Sequence, residues 1–132
     1  MIKVLWLLRR KPGITPEEFR ERYERHARLG QKLAGHLLAS YKRNYKLEAW
    51  GGGTPTTHDG STQFRPIEWD YDCVAEVSFA TQEAYEANKK IFADPKIGRQ
   101  FYEDEEDFLD RKSVVMLKCA EVDTGPSPRN NT

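Results

Sequence analysis

IKVLWLLRRKPGITPEEFRERYERH, residues 2–26, changes its hydrophobic period halfway along, and the change sets the first β-α unit of the fold. Residues 2–9 are rich in apolar and β-branched side chains and read as a strand. Lys11-Pro12-Gly13 ends it with turn chemistry. Thr15-Pro16-Glu17-Glu18 then supplies an N-cap, a proline at the first helical position and an acid at the third, which is a capping box. Beyond it, Phe19, Tyr23, His26, Gly30, Leu33 and Leu37 fall on one narrow face at about 100° per residue. A helix is expected from Pro16 to about Leu38.

The remaining elements follow by the same periods. Residues 40–47, SYKRNYKL, alternate and read as a partly exposed second strand. Residues 48–68 hold three consecutive glycines, prolines, Thr and Ser without periodicity, and are expected to be a long structureless insertion, mobile or a lid. Residues 71–79, YDCVAEVSF, are the third strand. Thr81 caps a helix carrying Tyr85, Asn88 and Phe92, which Asp94-Pro95 interrupts. Ile97, Phe101 and Phe108 continue a helical stripe through the acidic run 103–107, which reads as a solvated helix face. Residues 112–122, KSVVMLKCAEV, are the fourth strand, and the tail 123–132 has no means of burying itself.

The order is β-α-β-β-α-β. This predicts an α+β ferredoxin-like domain over residues 1–122, with a four-stranded antiparallel sheet carrying its helices on one face. The first and fourth strands are apolar on both faces, whereas the helices cover one. A second copy packing on the other face, in a homodimer, satisfies both.

Composition narrows the function classes. Lys plus Arg and Asp plus Glu number 21 each, so no net field draws the chain to nucleic acid or to an anionic membrane. No segment approaches the roughly 18 apolar residues that span a bilayer, and the first ten residues are wrongly flanked for a signal peptide, so a cytoplasmic location is expected. Cys73 and Cys119 lie in apolar runs outside any zinc spacing and read as buried, reduced thiols. No flavin fingerprint, phosphate loop or metal-ligand cluster is present, so no cofactor or metal is expected.

His26 is the conspicuous residue, because an imidazole sits where the helical stripe calls for a hydrophobic side chain. It must find a partner or line a cavity. It is either a core histidine satisfied by a backbone carbonyl or an acid–base group poised near neutrality. His36 lies off the stripe, near the helix end.

Lys11-Pro12-Gly13-x-Thr15-x-Glu17-Glu18-Phe19, Tyr23-x-x-His26, Tyr71-Asp72, Asp94-Pro95 and Asp104-Glu105-x-x-Phe108-x-Asp110, in that order and spacing, resemble the EthD-type family of the dimeric α/β-barrel superfamily. The resemblance implies homodimers whose two sheets close into a barrel, with a ligand cavity between sheet and helices. It further implies similarity to cofactor-independent lactone isomerases, polyketide cyclases and aromatic decarboxylases, with His26 moving the proton. The family often carries H-x-P where this chain has His26-Ala27-Arg28, so its helix is expected to continue.

In that context Asp72 is a second catalytic candidate. It shares strand parity with Glu76, and either carboxylate could orient the imidazole; the alternatives are a strand-start role for Asp72 and an ion pair for Glu76. Tyr23 and Tyr41 could donate hydrogen bonds to a developing enolate. Trp6 could form a flat wall for an aromatic ligand, and His58 would join the substrate site if the insertion closes over it. The expected function is therefore a cofactor-independent lyase or isomerase for a small aromatic, polyketide or lactone-like substrate. A non-catalytic small-molecule-binding barrel and a cofactorless or haem-linked monooxygenase are the alternatives.

Overall fold

The computed structural model describes residues 1–52 and 64–126. Strand β1 (Ile2–Leu8) leads through the Lys11-Pro12-Gly13 turn into helix α1 (Pro16–Ala34). Gly13 takes φ +91°, a left-handed conformation that glycine adopts without steric cost. The capping box forms as the sequence requires. Thr15 Oγ1 accepts from Glu18 N at 3.1 Å, and Glu18 Oε1 accepts from Thr15 N at 3.3 Å. Two otherwise orphaned amides are thereby satisfied, which contributes about 1 kcal/mol to the helix start.

α1 stops at Ala34, short of the expected Leu38. Gly35–Leu37 tighten into a 3-10 turn, and the amide of Gly35 still bonds Gln31 O. Strand β2 (Ser40–Tyr45) follows. The insertion is not wholly structureless: strands β3 (Trp50–Gly51) and β4 (Arg65–Pro66) pair antiparallel, and Ile67 N donates to Ala49 O at 2.9 Å. His58 and residues 53–63 lie outside the described residues, as do 127–132 of the tail. Strand β5 (Cys73–Phe79), helices α2 (Gln82–Ala93) and α3 (Pro95–Glu105) and strand β6 (Val115–Cys119) complete the chain. Asp94 ends α2 and caps α3, with its Oδ1 accepting from Lys96 N and Ile97 N.

The main sheet runs β2-β5-β1-β6 with every neighbour antiparallel, so the fold is the ferredoxin-like α+β arrangement. Register assigns its faces, because directly paired residues point the same way. Trp6 opposes Ala75 and Leu8 opposes Cys73, and Leu8, Cys73 and Ala75 pack with Phe19, Tyr23 and Ala27 of α1. This is the helix face, and Phe19, Phe108 and Cys73 are its most deeply buried large side chains. Leu5, Leu7, Val74, Val115 and Leu117 occupy the other face. Cys119 is only partly buried, unlike Cys73, because its pairing with Lys3 places it on the face without helices. No described helix is long and apolar enough to cross a membrane.

Candidate functional site

His26 is 3 % exposed and faces inward from the middle of α1. Its ring lies 4.1 Å from the ring centre of Phe101 on α3 and 5.1 Å from that of Phe108, with Tyr23 at 6.3 Å. Gly30 makes the closeness of α3 possible, since a Cβ there would stand 3.3 Å from Phe101 Cε2. Inside this aromatic enclosure both ring nitrogens face carboxylates. Nδ1 is 2.6 Å from Asp104 Oδ2, and Nε2 is 3.5 Å from Glu105 Oε1. An ionised carboxylate only accepts, so Nδ1 is the donor to Asp104. Glu105 is in turn paired with Arg111 Nε at 3.3 Å, and that guanidinium lies over the Tyr102 ring. Asp104 is half exposed, so it links a buried imidazole to solvent.

The acidic run is therefore not simply a solvated face. Asp104 and Glu105 stand three and four residues after Phe101, which places them beside the inward stripe. That spacing was the available signal for the histidine's partners.

A polar ladder runs beside the imidazole, between α1 and β2. The hydroxyls of Tyr23 and Tyr41 are 2.7 Å apart. Tyr45 Oη donates to Glu24 Oε2 at 2.5 Å, and Arg43 grips the same carboxylate through Nε and Nη2 at 2.6 and 2.9 Å. The Arg43 hydrogen bond holds the Glu24 carboxyl below its usual range. Burial pushes the Tyr41 phenol up to about 12 and Tyr23 well above the usual tyrosine value. Burial likewise raises the Cys73 thiol to about 12. These phenols are consequently neutral hydrogen-bond donors at physiological pH.

The other expected partners of His26 are elsewhere. Asp72 Oδ2 accepts from Arg10 N at 2.8 Å and its Oδ1 from Arg10 Nη1 at 2.6 Å. Glu76 lies 3.8 Å from Lys3 Nζ, and its register puts it on the sheet face away from α1. Neither orients the imidazole, because the sheet stands between Glu76 and α1 and because Arg10 saturates Asp72. Trp6 is on the helix face, partly buried against the core. Tyr23 and Tyr41 reach each other. The expected cavity between sheet and helices is filled by the aromatic cluster of Phe19, Tyr23 and Phe108. A cleft of about 860 Å³ opens instead at the β3–β4 ribbon, with Asp72 but not His26 in its wall. Among the described residues, no group of His, Cys, Asp and Glu is arranged to hold a metal ion.

Residues 11–112 match the EthD domain family. No curated protein matches the chain. Among solved structures, an EthD family protein of Bacillus halodurans is 19% identical, with a TM-score of 0.54, over 92% of this chain and 99% of the other. The hydroxynitrile lyase of Passiflora edulis is 15% identical at a TM-score of 0.54, over 95% of this chain and 96% of the other. A dimeric ferredoxin-like protein of unknown function from Thermobifida fusca is 16% identical at a TM-score of 0.53, over 91% and 90%.

Proposed function

The chain belongs to the EthD domain family, and from that premise we propose that it is a cofactor-independent lyase or isomerase in which His26 carries the proton. The observation that supports this most is the 2.6 Å contact between Nδ1 and Asp104. In the neutral imidazole this contact places the hydrogen on Nδ1 and leaves the lone pair on Nε2. Nε2 takes a proton from a substrate O–H or acidic C–H. In a cyanohydrin the C–CN bond breaks with its electron pair on cyanide, which takes the proton back from Nε2. In a β-keto acid the pair stays on the substrate carbon as carbon dioxide leaves, and that carbon takes the proton. In an isomerisation no fragment leaves, and Nε2 returns the proton to another carbon of the same molecule. Between these steps the imidazolium lies between Asp104 and Glu105, whose charges stabilise it.

The walls favour a small hydrophobic or aromatic substrate, since Phe101, Phe108 and Tyr23 surround the ring. Access to Nε2 requires α3 to yield, and Gly30, which puts no side chain against Phe101, is the point of least obstruction. The likeness to the Passiflora edulis hydroxynitrile lyase favours bond cleavage over isomerisation. The same reading includes a homodimer through the helix-free sheet face, in keeping with the dimeric Thermobifida fusca protein.

The test uses two probes, an aromatic cyanohydrin read by aldehyde release and an aromatic β-keto acid read by carbon dioxide release. Asp104→Asn keeps the shape but removes the charge and the tautomer preference. Turnover is expected to fall by about 10² or more while the melting temperature holds. Wild-type turnover in this variant, or no turnover of either probe by the native protein, would contradict the proposal.

A further inference from the structure

The cleft beside the β3–β4 ribbon is built for a ligand of its own. We propose that it binds a planar aromatic molecule bearing one carboxylate, at a site separate from His26. Its volume of about 860 Å³ suits a small molecule. Two indoles in its wall, Trp50 and Trp69, are 52% and 36% exposed, an unusual exposure for large flat apolar surface. Glu48 Oε2 accepts from Trp50 Nε1 at 2.8 Å and so fixes that indole. Lys46 Nζ donates to the Trp69 carbonyl and anchors the second wall.

The charges in the wall are unevenly committed. Arg10 is neutralised by Asp72 at 2.6 Å. Arg9 reaches exposed Asp70 at 3.5 Å, yet its Nε is buried and makes no hydrogen bond. The Arg9 side chain as a whole is 36% exposed, so its terminal nitrogens are open to a ligand carboxylate. Lys11 forms no ion pair among the described residues, so a second cation stands ready. Lys46 also lines the cleft without a carboxylate partner among the described residues, and Glu48 and Glu68 line it without a cation, so the wall favours a low ligand charge over a polyanion. The flat walls, Arg9 and Lys11 together select an aromatic monocarboxylate over an aliphatic acid or a polyanion.

Titration with 2-naphthoate, followed by the indole N–H signals in NMR, tests this. The Trp50 and Trp69 signals are expected to shift and saturate at concentrations below roughly 1 mM while Trp6 stays still. Arg9→Met, which keeps the aliphatic stem, and Lys11→Glu, at an exposed turn position, should each weaken binding about tenfold or more. His26→Ala should leave binding unchanged, so this result is independent of the proposed proton chemistry. No saturable shift, equal binding of neutral 2-naphthamide, indifference to both cleft variants, or loss of binding in His26→Ala would each overturn the proposal.

Discussion

Gly30→Ala would bring a Cβ within 3.3 Å of Phe101, a ring already held between His26 at 4.1 Å and Phe92 at 4.6 Å. Alanine gains about 1 kcal/mol in helix propensity, but overpacking against the Phe101 ring costs about 1 to 3 kcal/mol. A net loss of about 1 kcal/mol is expected in urea unfolding, and a gain of that size would show that Phe101 moves freely. The burial of His26 was legible in the sequence, because its place in an apolar stripe is a local property. Its carboxylate partner was not. Asp104 lies 78 residues away in a run whose charge suggested solvent, and only the phase of Phe101 and Phe108 pointed inward. Asp72 looked suitable by strand parity, but parity says nothing about an arginine two residues beyond β1 that folds back onto it.

Between elements, the α1, β2 and β5 interface buries neutral acids. Tyr23, Tyr41 and Cys73 all have raised folded values, so the native state holds their protons longer than the unfolded chain does. Unfolded cysteine and tyrosine ionise near about 8.5 and 10. Above those values the unfolded chain binds fewer protons, and stability falls as pH rises, until the folded groups ionise at about 12 for Cys73 and Tyr41. These groups should thus leave the urea midpoint unchanged between about pH 6 and 8 and lower it above about 9, with Cys73→Ala delaying the onset. An unchanged midpoint up to about pH 11 would contradict the burial of these groups. Element type was readable because caps and periods are short-range, as Thr15 and Asp94 show. The ribbon in the insertion was not, since a two-residue pairing of Trp50 with Pro66 leaves no period to detect.

For the whole molecule, the helix-free sheet face is the unfinished surface. Leu5, Leu7, Val74 and Val115 stay only partly buried there, and Leu117 is 45% exposed. A homodimer closing this face should bury more than about 1,200 Å² in total. Sedimentation is expected to give a dimer for the native chain and a monomer for Leu117→Asp, and a native monomer at micromolar concentration would contradict the arrangement. The ferredoxin-like order was legible because six elements in sequence leave few topologies, whereas the filling of the expected cavity by Phe19, Tyr23 and Phe108 depends on how far α1 settles onto the sheet. The central claim is that His26 moves the proton rather than fills the core. Turnover and melting of His26→Ala, measured together on the cyanohydrin and β-keto acid probes, test it most directly. Loss of the proton carrier lowers turnover by about 10² to 10⁴ with a melting temperature close to the native one, whereas retained turnover with about 1 to 3 kcal/mol of lost stability would make the imidazole a packing residue.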